Sequence, residues 1–555
     1  MATQTVENRN RRLARSTITV MVAFAVAKVI SLAQTFIIAN WFGVGREWDA
    51  YVSANSIPDQ IFTLIAGGAL AYAFIPIFTS FLARDDLDGA WRLTSHVVNT
   101  VFTVTFIVSI IVFITAPWLV ANVVAPGFDP EKQAQTVELM RILLVSTLIF
   151  SVSGICMGIL QSFNAFLLPA LAPIMFDLGI LFGAGFLIKP FGVNGIAYGA
   201  VLGTTLHFAI QIPGLIHYRA RWRPGLGLKD PMLWRVIRLM LPRVAGLGVF
   251  SLNFIVMNNI ASRLGTGSVS ALNWGWRLMQ IPETLIGTAM GIVIFPTLAA
   301  LSELGDESGK RQAMSGALRF ILIATIPAAV GLIFVGQPLI SLLERGAFDA
   351  SASALVYSTL RFFALGLVVH SALEIVARSF YADKNTLTPL WAALGGAAIN
   401  LILSFVLSGV AHTESRMLYN MIAGQYSYLG LQPNVGNVGG LALANSLGTA
   451  FEVLTLLWVL RRRWHGADEN ILARTVLKTL AASLVMALGI VIINSVWTSM
   501  GLHNRGVIFT VAQIAVETGV GILIFIGVAT LLKMDELQSL VGLVLRRRKL
   551  AEIPA

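Results

Sequence analysis

Apolar residues run along the chain in long blocks, and short polar clusters separate them. Residues 93–128 contain no Asp, Glu, Lys or Arg, and a helix needs roughly 20 apolar residues to cross the hydrocarbon core of a bilayer. Blocks of spanning length predict fourteen helices, at 16–39, 57–82, 93–116, 138–160, 166–188, 193–216, 236–262, 269–300, 314–334, 356–380, 387–409, 438–460, 472–495 and 507–532. The expected fold class is an all-α polytopic membrane protein. The first block, Thr17 to Ala39, is too long for the core of a signal peptide and is followed by no small-residue cleavage site, so it reads as a spanning helix.

The blocks repeat. IPDQIFTLIAGGALAYAFIPIF (57–78) matches IPETLIGTAMGIVIFP (281–296), and APWLVANVVAPGFD (116–129) matches GQPLISLLERGAFD (336–349). VNGIAYGAVLGT (193–204) matches VGGLALANSLGT (438–449) in the same order. Helices 1–6 and 7–12 therefore form two copies of one six-helix unit, parallel because six is even. The expected organisation is an N-terminal lobe over 1–223, a basic linker over 224–235, a C-terminal lobe over 236–464, and helices 13 and 14 with a basic tail over 465–555. Parallel repeats related by an axis along the membrane normal are a transporter architecture, with the substrate site near the midplane.

Charge sets the orientation. Arg9, Arg11, Arg12 and Arg15 precede the first helix; Arg219, Arg221, Arg223 and Lys229 follow the sixth; Arg461, Arg462 and Arg463 follow the twelfth; and Arg546, Arg547, Arg548 and Lys549 lie near the end. The alternate loops hold few cations, so both termini are expected in the cytoplasm. This placement also explains the net charge of +11 without nucleic acid. The chain is 56% hydrophobic and 12% charged, with a mean hydropathy of +0.78, against about 25% charged residues in a soluble domain. The single cysteine, Cys156, lies in an apolar block and can form no internal disulfide.

No catalytic constellation is found: the seven histidines are scattered, and no metal-ligand, nucleophile-elbow or phosphate-loop motif occurs. The chemistry lies in ionisable residues inside apolar blocks, Lys28, Asp177, Arg277, Glu283, Glu374, Glu452 and Glu517. Each is expensive at the bilayer centre, about 2.5–3.5 kcal/mol on the insertion scale, and so should face protein or water. Arg277 stands within SALNWGWRLMQIPETLIG (270–287), and Glu283 is too far along the helix to pair with it. A guanidinium in a low-dielectric cavity suits a phosphate or pyrophosphate, and Lys28 would add a second cation. Trp274 and Trp276 could stack on a sugar or sit at the membrane interface. Asp177, Glu374 and Glu452 are candidates for a coupling cation or for ion pairs with Lys28 and Arg378.

FGVGREWDAY (42–51), the 57–78 run, APGF (125–128), GSVSALNWGWRLMQIPETLIG (267–287) and FYADKNTLTP (380–389) resemble the MurJ (MviN) family of the multidrug/oligosaccharidyl-lipid/polysaccharide flippase superfamily. The resemblance extends from about residue 16 to residue 464. It implies a flippase for lipid II, the undecaprenyl-pyrophosphate-linked peptidoglycan precursor, in the bacterial cytoplasmic membrane, with a role in cell-wall synthesis and cell shape. It implies a cationic central cavity between two lobes and a lipid-tail groove formed by helices 13 and 14. It further implies no cofactor or metal, a drive from membrane potential, H+ or Na+, and contacts with membrane lipids and with wall-synthesis or division proteins. Arg277 matches the family's arginine in helix 8, Asp49 its aspartate after helix 1, and Lys28 stands at the first helix-1 arginine. The chain departs from the pattern at Gln34, where a second arginine is usual, at Phe62 and Thr63 in place of an arginine pair, and at Gly67 in place of a glutamate. No acidic residue occurs between Met232 and Ile281, where some members carry a sodium-site aspartate. The competing expectations are export of another lipid-linked glycan, ion-driven antiport of a cationic drug, and a non-transporting scaffold of wall synthesis.

Overall fold

A computed structural model describes residues 29–66, 68–163, 165–410, 437–464, 468–501 and 506–534. Lys28, Gly67 and the long 411–436 segment lie outside the described residues. Every regular element described is helical. Unit 1 contains α1 (Val29–Phe42), α2 (Arg46–Ile61), α3 (Gly68–Leu82), α4 (Leu87–Leu119), α5 (Pro130–Ser162), α6 (Leu167–Phe182), α7 (Ile188–Phe191), α8 (Asn194–Ala209), α9 (Ile212–His217) and α10 (Pro231–Ser262). Unit 2 contains α11 (Ser268–Glu283), α12 (Ala289–Glu303), α13 (Glu307–Ser341), α14 (Ala350–Ala382), α15 (Leu387–Leu407), α16 (Val438–Arg463), α17 (Glu469–Ser499) and α18 (Val507–Leu531). Among the described residues, 11 helices are long and apolar enough to span a membrane, where the sequence predicts fourteen. The other three places fall on α1, on α2 with α3 around the undescribed Gly67, and on α10 with its Arg235, Arg238 and Arg243.

Several helices begin earlier than their apolar blocks. The third starts at Leu87, the fourth at Pro130 and the tenth at Ala350, because their first turns are polar and capped. Asp86, Asp129, Asp306 and Asp349 each accept a backbone N–H two or three residues into the helix that follows, a contribution of about 1 kcal/mol per cap. FGVGREWDAY is likewise mostly helix, since α2 starts at Arg46.

The sequence repeat has a matching local structure. α2 and α11 are both 16 residues long. Each leads into a five-residue π-helical turn, Phe62–Ala66 and Thr284–Thr288. The α5 and α14 helices are both 33 residues. Aligned glycines make the same close helix contact in each copy: a Cβ on Gly203 would lie 2.5 Å from the Phe176 carbonyl oxygen, and one on Gly448 would lie 2.6 Å from that of Gly396. Small residues let membrane helices approach where no hydrophobic effect drives them together. Gly448→Val should therefore separate α15 from α16 and lower the melting temperature in detergent. Gly316→Ala, with no atom within 4 Å of the new methyl, should leave it unchanged or raise it.

The two compact units divide between Thr266 and Gly267. The α10 helix thus clusters with unit 1, whereas the repeat makes it the first helix of the second copy. Its C-terminal turns are fastened there: Asn258 Nδ2 donates to the Val124 carbonyl at 2.8 Å, Asn259 Nδ2 to Val123 at 2.7 Å, and Ser262 Oγ accepts from Gly127 N at 3.1 Å. Outside the repeat, α17 and α18 pack on α13 through Ile323, Val335, Met486, Ile490 and Phe525.

Candidate functional site

Arg277 is the tenth residue of α11. Packing fixes which way it points: Trp274 is buried and meets Phe348 edge-on, Gly275 lies against Thr359, and Met279 is fully buried. Trp276 is held edge-on between Phe363 and His370, each 5.3 Å away. Trp276 is therefore packed on α14, and Trp274 on the turn that leads into it. The opposite side of α11 carries a polar row at i, i+4, i+7 and i+11, formed by Asn273, Arg277, Gln280 and Thr284. Asn273 is half-buried and the other three are exposed. Arg277 keeps an interaction within the chain while its side chain stays accessible. An amphipathic row of this kind on a spanning helix is suited to a wetted interior rather than to acyl chains. It ends in the Thr284–Thr288 π turn, a deviation that occurs mostly as single-turn bulges and frequently at functional sites.

The matched helix of unit 1 carries a second row. Asn55, the tenth residue of α2, is followed at four-residue steps by Asp59 and Thr63, and Asp59 is exposed. Asp59 was missed as an embedded ionisable residue. Its signal is the polar i, i+4, i+8 spacing, which apolar-block counting passes over because Asp59 falls at the very start of the 57–82 block.

The remaining predicted residues separate. Asp49 is not presented to a ligand: it is fully buried on α2, and Lys132 Nζ donates to its Oδ2 at 2.8 Å. Lys132 is itself 3% exposed and lies 3.7 Å from the Phe128 ring centroid, so this charge pair is enclosed. Gln34 is half-buried on α1, and Lys28 is outside the described residues. Asp177 is half-buried on α6 and is not isolated there.

Glu374 and Arg378 form an i, i+4 ion pair at 2.8 Å. The guanidinium lies over Gly291, whose missing side chain makes room for Nη1. Glu283 stays close by and accepts from Thr288 Oγ1 at 3.2 Å. Glu452 is half-buried against Gly396, and no hydrogen bond from a described residue reaches its carboxylate.

A second polar group joins the helix ends of unit 2. Asp383 Oδ1 accepts from Lys310 Nζ and from Ser302 Oγ, both at 2.6 Å, and its Oδ2 accepts from Arg463 Nη1 at 2.9 Å. Burial alone raises the Asp383 carboxyl. The Lys310 and Ser302 hydrogen bonds and the Lys310 and Arg463 charges outweigh it and hold the pKa below 3.8. The depressed native value means that this stabilisation is complete above the ordinary carboxylate range. It is lost as pH falls through the lower native value. Asp383→Asn should accordingly be destabilising at pH 7 and flatten the acid limb of a thermal-stability profile measured from pH 7 to pH 3.

Two repeated helical units, with broken spanning helices and an exposed arginine in a polar row, define a polytopic membrane transporter rather than an enzyme. The chain belongs to the lipid II flippase MurJ family, whose model matches residues 38–511. It is 28% identical over 502 residues to the lipid II flippase MurJ of Burkholderia cenocepacia, covering 88% of this chain and 92% of the relative. It is 29% identical over 531 residues to a probable lipid II flippase MurJ of Rhizobium tropici, covering 93% and 92%. In fold it resembles a lipid II flippase MurJ structure in an inward closed conformation, with a TM-score of 0.74 and 24% identity over 93% of this chain and 99% of that one. An inward-facing multidrug resistance MATE transporter of the MOP superfamily gives a TM-score of 0.62 at 16% identity, covering 81% and 99%.

Proposed function

We propose that this protein moves lipid II, an undecaprenyl-pyrophosphate-linked peptidoglycan precursor, from the inner to the outer leaflet of the bacterial cytoplasmic membrane by alternating access. The observation that carries the reading is the position of Arg277, exposed in the polar row of a spanning helix in a chain of the MurJ family. A planar guanidinium takes two phosphate oxygens at once, and a diphosphate offers that arrangement twice. Gln280 and Thr284 lie along the same row and supply neutral hydrogen bonds to the sugar end of such a headgroup. Lys28 is the proposed second cation, and Gln34 follows it six residues later in the sequence. Asp49 is assigned a structural part, because its charge is already matched by Lys132.

The drive is assigned to membrane potential or to a proton or sodium ion at Glu452, whose half-buried carboxylate accepts no hydrogen bond from a described residue. Both termini are placed in the cytoplasm on the distribution of basic loops.

Translocation of a fluorescent lipid II analogue by the purified protein in liposomes tests the reading. Transport of the analogue, unaffected by hydrophobic cations, is expected. Export of a hydrophobic cation with no movement of the analogue would instead make the protein a drug antiporter.

A further inference from the structure

A groove of about 500 Å³ runs along unit 1 between α4, α5 and α8, lined by Phe113, Pro117, Val137, Glu138, Arg141 and Tyr198. It is mainly apolar, yet it contains one charge of each sign. Arg141 Nε donates to the Phe113 carbonyl at 3.2 Å, and its guanidinium lies 4.7 Å from the Phe113 ring centroid. No carboxylate of a described residue forms an ion pair with it, although Glu138 stands one helical turn away. Glu138 is exposed and accepts from Asn194 Nδ2 at 2.7 Å. Asn194 is the first residue of α8, so it marks the end of the span, and Tyr198 lies one turn further in.

The groove is thus at headgroup depth, on the side of the membrane opposite the basic 217–235 loop. Its surroundings are bilayer-like: Ile110, Ile114 and Trp118 of α4 are 43%, 68% and 61% exposed.

We propose that the groove holds a phospholipid carrying a primary ammonium group, taken from the surrounding bilayer. The phosphate binds the terminal nitrogens of Arg141 and the phenol of Tyr198. The ammonium binds Glu138, and an acyl chain lies over Phe113 and Ile110. Residues three apart on a helix have Cβ atoms about 5–6 Å from each other, which matches the short link between phosphate and ammonium in such a headgroup. A quaternary ammonium has no proton to give Glu138, and a headgroup without a cation leaves that carboxylate facing the phosphate. The proposal is independent of the transported cargo.

Native mass spectrometry of the delipidated protein, titrated with phosphatidylethanolamine, phosphatidylcholine or phosphatidylglycerol, tests it. Phosphatidylethanolamine should bind about tenfold tighter than the other two, the scale of one charge-assisted hydrogen bond. Arg141→Gln should weaken it about tenfold, and Glu138→Gln should remove its advantage over phosphatidylcholine, each at an unchanged melting temperature. Because Glu138 is exposed, its variant carries the test if Arg141→Gln does not fold. Equal binding of the three lipids, a preference for phosphatidylglycerol, or wild-type selectivity in Glu138→Gln would overturn the proposal.

Discussion

Arg277→Ala is expected to reduce lipid II transport on the order of 100-fold while leaving expression and melting temperature near wild type. Hydrogen bonds to a charged group contribute about 1.5–3 kcal/mol each, and a bidentate grip on a phosphate makes two. The side chain is exposed on its helix, whereas Trp274, Gly275 and Met279 carry the packing. Removing it should therefore cost binding and not folding. Arg277→Lys keeps a point charge but loses the planar fork, so its activity should fall between the two. Growth of a MurJ-depleted bacterium on each variant, with protein level monitored, gives the measurement. Full rescue by Arg277→Ala would remove this residue from the mechanism.

Lys132→Met should have the largest effect on stability. The Asp49 carboxylate is fully buried and Lys132 is 3% exposed, so the variant removes the lysine charge that faces a carboxylate in the protein interior. Removing one partner of a buried pair costs about 3–5 kcal/mol. Asp49→Asn in the same chain should recover most of that loss, because two neutral groups of similar volume replace the pair. Unfolding in detergent of the two single variants and the double variant would show the coupling. If Asp49 served the substrate instead, Asp49→Asn alone would abolish transport at unchanged stability, and the double variant would stay inactive.

Much of the architecture is legible in the sequence because the apolar blocks and their repeat are one-dimensional signals. The matched motifs at 193–204 and 438–449 also contain Gly203 and Gly448, which make equivalent close helix contacts in the two copies. Arg277 was legible for a similar reason, as a costly charge inside an apolar block. Helix starts were not, since polar first turns held by Asp86, Asp129 and Asp349 look like loops. The role of Asp49 was also hidden. Its partner Lys132 follows a loop 83 residues later, and periodicity carries no information about which distant charge a buried carboxylate meets. The packing of α10 on unit 1 includes three side-chain amide and hydroxyl contacts near Asn258, and the repeat pattern says nothing of them. Glu374 stands in the sequence as one of three acids open to a coupling cation or to a pair with Lys28 or Arg378, and the structure pairs it with Arg378.

Thiol labelling along α11 tests most directly whether the polar row faces water. The native chain has one cysteine, Cys156, and it is buried, so the background is low. Gln280→Cys and Thr284→Cys should react with a membrane-impermeant thiol reagent in intact membranes and be protected by lipid II. Ile114→Cys, on the apolar face of α4, should not react. Unreactive thiols at 280 and 284, or reaction that lipid II does not slow, would contradict a substrate path along Arg277.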